Sequence, residues 1–221
     1  MFASRAAFMT AGAAAPKGSV YFNGSARLSI ADATPLNPES GDFTIEGWFY
    51  STVTSLEIMY YKGAGLTGTT HAFVLVTSGN NLQFNGNTVI SGSTAWTVNT
   101  WNHAAVARSG TSTKLFLNGV QQGSTMSDST NYNTASPLTI GDRFASHPFG
   151  NYPFTGYISN FRMVKGTALY TSNFTPPTTP LTAISGTTLL TCQNPTTIVD
   201  NGPNAYTITN TSATADSLSP F

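Results

Sequence analysis

Residues 43–50 read Phe43-Thr44-Ile45-Glu46-Gly47-Trp48-Phe49-Tyr50, and their alternation decides the fold class. Successive side chains of a strand point to opposite faces. Phe43, Ile45 and Phe49 therefore share one face, and Glu46, Trp48 and Tyr50 share the other. The first face belongs against a second sheet. Outward from this segment, short β-prone stretches alternate with turn residues, and no helical stripe of any length appears. The strands predicted are 20–22, 26–30, 43–50, 56–62, 72–77, 101–108, 138–141, 154–164, 188–192 and 206–209. Four Asn-Gly pairs, Asn23-Gly24, Asn85-Gly86, Asn118-Gly119 and Asn201-Gly202, carry the hairpin signal, because a type I′ turn needs positive φ at both central residues. Hairpins are predicted around Asn85-Gly86 and Asn118-Gly119.

About a dozen short strands joined by polar turns give an all-β chain, a two-sheet antiparallel β-sandwich of jelly-roll type. Its inter-sheet core is expected to include Phe43, Ile45, Phe49, Leu115, Leu117, Ile140 and Ile158. Trp101 to Arg108 is small and apolar on both faces, as a strand covered from two sides would be. Pro176, Pro177 and Pro180 exclude a central strand there and leave an extended surface connection. Strand signals resume after it, so the C-terminal segment is expected to return to the same sandwich. The organisation expected is an N-terminal arm over 1–18 and a single domain over 19–221.

Only 8% of the 221 residues are charged, against about 25% in an average soluble protein, and Ser, Thr and Asn make up roughly a third. Nine Lys and Arg balance nine Asp and Glu. The cations are scattered singly, which argues against nucleic acid as a partner. A net charge of zero removes self-repulsion and suits a multicopy or homo-oligomeric assembly. Apolar runs fall far short of the roughly 18 residues needed to span a bilayer, so no membrane insertion is expected. Cys192 is the one cysteine, excludes an intrachain disulfide, and reads as a small core residue.

The N-terminal Met1 to Gly18 stretch has Ala13-Ala14-Ala15 before Pro16, in the manner of a leader, but Thr10 and Gly12 interrupt its apolar middle. It reads instead as an assembly arm, with Phe2, Phe8 and Met9 as apolar anchors.

Several ordered pieces resemble the concanavalin A-like, laminin-G-like jelly rolls over roughly residues 18–165. They are Gly18 to Gly24, Phe43 to Trp48, Trp101-Asn102-His103, Leu117-Asn118-Gly119, Leu138 to Gly141 and Phe154 to Ile158. The tail is similar to the version of this domain in structural proteins of tailed bacteriophages of marine bacteria and cyanobacteria, through Gly166 to Pro177, Leu189 to Gln193 and the ending Ser219-Pro220-Phe221. That resemblance implies a virion component at the particle surface, with other capsid or tail proteins as partners. A one-domain chain with an arm favours capsid decoration over a tail fibre, with adhesion to host-surface glycans held open as a second activity. The alternatives are a carbohydrate-binding lectin or a tail-fibre receptor-binding protein.

Catalysis is not expected. Retaining glycosidases on this sandwich need two carboxylates about 5 Å apart, and Glu39, Glu46 and Glu57 have no carboxylate two or four residues along a strand. His71, His103 and His147 lie near no nucleophile elbow; His103 reads as a buried or half-buried strand residue and His71 as solvated. No cofactor is expected. Asp142 has two readings, a turn residue capping backbone amides or a donor to a single Ca²⁺. Glycan contacts are expected from the loop Asp142 to Pro153, where Asp142, Arg143, His147, Asn151 and Tyr152 combine flat rings with directed donors and acceptors. The competing reading folds its aromatic residues inward to anchor the loop.

Overall fold

The computed structural model describes residues 15–63, 73–78, 81–143 and 152–221. Among these described residues fifteen strands run in chain order: β1 (Ser19–Asn23), β2 (Arg27–Ile30), β3 (Phe43–Ser51), β4 (Glu57–Lys62), β5 (Phe73–Ser78), β6 (Asn81–Asn85), β7 (Val89–Ala95), β8 (Asn102–Ser109), β9 (Ser112–Leu117), β10 (Val120–Ser127), β11 (Leu138–Ile140), β12 (Thr155–Lys165), β13 (Thr187–Thr191), β14 (Thr209–Thr211) and β15 (Thr214–Asp216). One short 3-10 turn, Thr34–Leu36, follows β2. Among the described residues no helix is long and apolar enough to cross a membrane.

The strands form two antiparallel sheets. Sheet A has the order β10-β9-β8-β3-β12-β1-β15, with β13 on the far half of β12, and sheet B the order β14-β2-β11-β4-β5-β6-β7. Strand β12 shares one edge between β1, which pairs with 155–158, and β13, which pairs with 161–164. The division falls at a bulge where Asn160 adopts φ 54° and its N–H donates to the Cys192 carbonyl. The C-terminal segment thus returns to the same sandwich and adds strands to both sheets.

The inner faces meet in one core containing Phe43, Ile45, Phe49, Leu115, Leu117, Ile140 and Ile158, all as the alternation predicts. Cys192 is in this core, and burial pushes its thiol up to about 12. Emptying a core site such as Ile45 by truncation to Ala costs about 2–5 kcal/mol.

The Asn-Gly pairs divide. Asn118 (φ 49°) and Gly119 (φ 79°) make the expected left-handed turn between β9 and β10. Asn85-Gly86 does join a hairpin, β6 to β7, but neither residue has positive φ; Gly86 is required because a side chain there would collide with the Tyr132 hydroxyl. Asn23-Gly24 is a corner between β1 in sheet A and β2 in sheet B, and Asn201-Gly202 joins no strands and is turned by the Asp200 carboxylate. The strand predicted at 206–209 is displaced to Thr209–Thr211, and Thr214–Asp216 adds a strand the alternation does not reveal.

The outward face of sheet A is half covered. Cross-strand register sets Phe116, Ala105, Glu46, Arg162 and Leu190 in one row. The segment 166–186 crosses this row as a strap: Thr44 Oγ1 donates to the Thr167 carbonyl, Lys114 Nζ to the Thr171 carbonyl, and Arg162 to the Thr182 carbonyl. Ala105 and Ala107 lie beneath it, which is why β8 is small on both faces. Ala15 and Pro16, the described end of the arm, line a small apolar cavity with Leu181, Ala183 and Leu190. The anchors Phe2, Phe8 and Met9 lie outside the described residues.

Candidate functional site

Gly141 ends β11 with φ 86°, and a side chain there would strike the Phe22 ring, so the chain must turn out of sheet B at Asp142. The Asp142 carboxylate then closes the turn. Its Oδ1 accepts from the backbone N–H of Arg143 (2.7 Å) and of Tyr152 (3.1 Å), joining both ends of the segment to one atom. Thr139 Oγ1 donates to the Asp142 carbonyl at 2.6 Å, and the Ile58 N–H donates to the Tyr152 carbonyl at 2.8 Å. Asp142 is 4% exposed, and burial raises its pKa against the opposing backbone N–H groups, Arg27 and Arg143.

Arg143 is fully buried. Its guanidinium sits 4.7 Å from the centre of the Tyr152 ring, and its carbonyl accepts from Arg27 at 3.0 Å. It also faces Tyr61, whose phenol burial pushes up to about 12 with Arg143 opposing. Tyr152 is 37% exposed. The result is an aromatic ring presented to solvent and backed by a buried cation, an arrangement that rigidifies the ring and polarises its face.

The structure therefore divides the sequence-predicted glycan contacts. Tyr152 is presented to solvent. Asp142 and Arg143 are instead buried, their polar groups turned to the segment's ends and to the Tyr152 ring. His147 and Asn151 lie outside the described residues, as does His71. The calcium reading of Asp142 does not fit its surroundings: its carboxylate is bonded to two amides and flanked by Arg27 and Arg143, which would repel a dication. Among the described residues no three His, Cys, Asp or Glu side chains gather as metal ligands.

Glu57 stands beside this site, and the sequence reading weighs it only as a member of a catalytic carboxylate pair. It is fully buried at the start of β4; Ser51 Oγ donates to its Oε2 and the Thr155 N–H to its Oε1 at 2.7 Å. These are uncharged donors, and burial pushes the carboxyl up to about 7 in spite of them. The one available signal was its position opening an otherwise apolar strand.

On sheet A, Glu46 is held differently. Arg162 donates through Nε (3.0 Å) and through a terminal nitrogen to Oε1, while Tyr170 Oη donates to Oε2 at 2.7 Å and His103 Nε2 lies 3.2 Å from it. Burial raises the Glu46 carboxyl, but the His103, Arg162 and Tyr170 contacts outweigh it and the net shift is downward. Tyr170 stacks on Phe174 at 3.6 Å and closes the strap over the cluster. Glu46 and Glu57 lie on different sheets, so they do not form the close carboxylate pair of a retaining glycosidase.

The sequence profile of one family matches residues 22–169, two thirds of the chain. The chain belongs to the concanavalin A-like lectin/glucanases superfamily. Solved structures of this superfamily's architecture agree on the fold. A candidate carbohydrate-binding protein from Bacteroides ovatus superposes with a TM-score of 0.69 at 16% identity, over 92% of this chain and 60% of its own. The chain thus spans about 60% of that protein's length. Domains LG4-5 of the mouse laminin alpha1 chain give a TM-score of 0.53 at 16% identity, over 78% of this chain and 45% of theirs. The Ruminococcus gnavus IT-sialidase CBM40, bound to alpha2,3 sialyllactose, gives 0.51 at 19% identity, over 69% of this chain and 91% of its own. No curated protein matches the chain by sequence.

Proposed function

We propose that this chain is a non-enzymatic glycan-adhesion module displayed on the surface of a tailed-phage particle, in the role of a capsid decoration protein. The observation that carries adhesion is Tyr152, an exposed ring fixed on the buried Arg143 guanidinium at 4.7 Å by a segment whose ends meet on Asp142. Sugars present C–H faces that stack on such rings, and a preordered ring loses little entropy on binding. The carbohydrate-binding neighbours of the superfamily support the same reading. A non-catalytic role is supported by the separation of Glu46 and Glu57. The virion role rests on the resemblance of Gly166 to Pro177, Leu189 to Gln193 and Ser219 to Phe221 to phage structural proteins. Weak single contacts suit display in many copies, because linked sites multiply apparent affinity.

Quantitative mass spectrometry of purified particles tests the placement. High copy number per particle is expected, low copy number would move the protein to the tail, and absence from particles would leave a free-standing lectin.

A further inference from the structure

The outward face of sheet A has a second half that the strap does not reach, and it holds four aromatic residues in a row. Tyr21 of β1 is the register partner of Tyr157 of β12, which is the partner of Tyr50 of β3. Trp101, next to the start of β8, continues the line. Successive ring centres are 5.0, 5.8 and 5.7 Å apart, and all four residues are partly exposed. The rings follow strands spaced about 4.8 Å apart, so the row crosses four strands over about 15 Å. Exposing four rings together costs hydration free energy that a core would have recovered, and such patches mark recognition surfaces.

We propose that this row binds a single chain of an uncharged polysaccharide, at a site separate from Tyr152. The inference shares with the adhesion reading only the ligand class, carbohydrate. Three observations select the occupant. The rings are not coplanar: Tyr21 and Tyr157 tilt by 44°, Tyr157 and Tyr50 by 84°, and Tyr50 and Trp101 by 68°. That surface undulates, and it fits a chain whose successive sugar rings rotate better than it fits a flat crystalline face. The charge acting on Tyr157 is a carboxylate, Asp216 of β15, which would repel uronate or sialate groups. Four ring-bearing residues fall far short of the roughly 20–30 residues a side of a stable protein interface. The Tyr50 and Tyr157 hydroxyls, with the exposed Thr214 paired to Tyr21, offer the donors and acceptors that sugar hydroxyls need.

The test is affinity electrophoresis of the full chain in gels containing hydroxyethyl cellulose, laminarin, dextran or polygalacturonate, with tryptophan emission followed in solution. At least one neutral polymer should retard migration and shift the emission, and polygalacturonate should do neither. Tyr21→Ser with Trp101→Ser should weaken retardation by about tenfold or more, as expected for lost ring stacking. Tyr21→Phe with Trp101→Phe keeps the rings and should bind as wild type, which holds the test valid even if the serine pair folds poorly. Loss of retardation in Tyr152→Ala with the serine pair unchanged would overturn the row and give the polymer to the Tyr152 site. The proposal is overturned if no neutral polymer retards the protein, if the folded serine pair binds unchanged, or if the phenylalanine pair loses binding. Sedimentation showing self-association that the serine pair abolishes would also overturn it, giving the row to a second copy of the chain.

Discussion

The strap-covered half of sheet A and the rim of sheet B around Tyr152 each bury a glutamate, and the two are held in opposite ways. Glu46 meets Arg162, His103 and Tyr170, and its carboxyl is lowered below the ordinary range. Glu57 meets a hydroxyl and an amide, and its carboxyl rises to about 7. Burial alone does not set the behaviour of an acid in this fold; the hydrogen-bonding and charged groups packed around it do. Beneath the strap, His103, the Arg162 cation and Tyr170 outweigh burial, and the carboxylate holds the strap. At the rim beside the exposed ring, the Ser51 and Thr155 donors do not outweigh burial, and the Glu57 carboxyl stands raised at about 7.

Removing the cation is the most severe way to break this contrast. Arg162→Met leaves Glu46 buried without its partner and frees the Thr182 carbonyl, so a destabilisation of about 3–5 kcal/mol is expected in urea denaturation at neutral pH. A loss below 1 kcal/mol would mean that His103 and Tyr170 suffice to hold the carboxylate.

Glu57→Gln sharpens the other side. A carboxyl raised from its ordinary 4.5 to about 7 binds its proton more tightly in the folded state. Its contribution is therefore fully present below pH 4.5 and is lost as pH rises through 7, an effect of about 3 kcal/mol. Gln mimics the protonated acid and should match wild type at pH 4.5 while exceeding it at pH 8.5. A wild-type-minus-variant difference that stays constant across this range would remove Glu57 as a titrating group.

The sequence made the core legible because burial on a sandwich follows a local rule, the alternation of Phe43, Ile45 and Phe49 or of Leu115 and Leu117. Turn chemistry was legible only in part. Asn118-Gly119 uses the backbone freedom the pair supplies, whereas Gly86 is fixed by the approach of Tyr132, a contact formed 46 positions away. Strands β14 and β15 are short and largely exposed, so they carry no alternation to detect.

At the candidate site, Tyr152 was legible as a ring between prolines, but the burial of Asp142 and Arg143 was not, since it depends on Thr139, Tyr61 and Arg27 from three other strands. The Tyr21–Tyr157–Tyr50 row is created by register between strands far apart in sequence. No local pattern announces it.

The smallest expected effect on stability belongs to the residue with the largest expected effect on recognition. Tyr152→Ala removes a ring that is 37% exposed and should shift the unfolding free energy by less than about 1 kcal/mol. The decisive measurement is isothermal titration of wild type and Tyr152→Ala with the glycan that wild type binds best on a glycan array, at equal, verified folding. Loss of binding by about tenfold or more in the variant is the predicted result. Equal affinities on a glycan outside the neutral polysaccharides assigned to the aromatic row would contradict the assignment of adhesion to the Tyr152 rim.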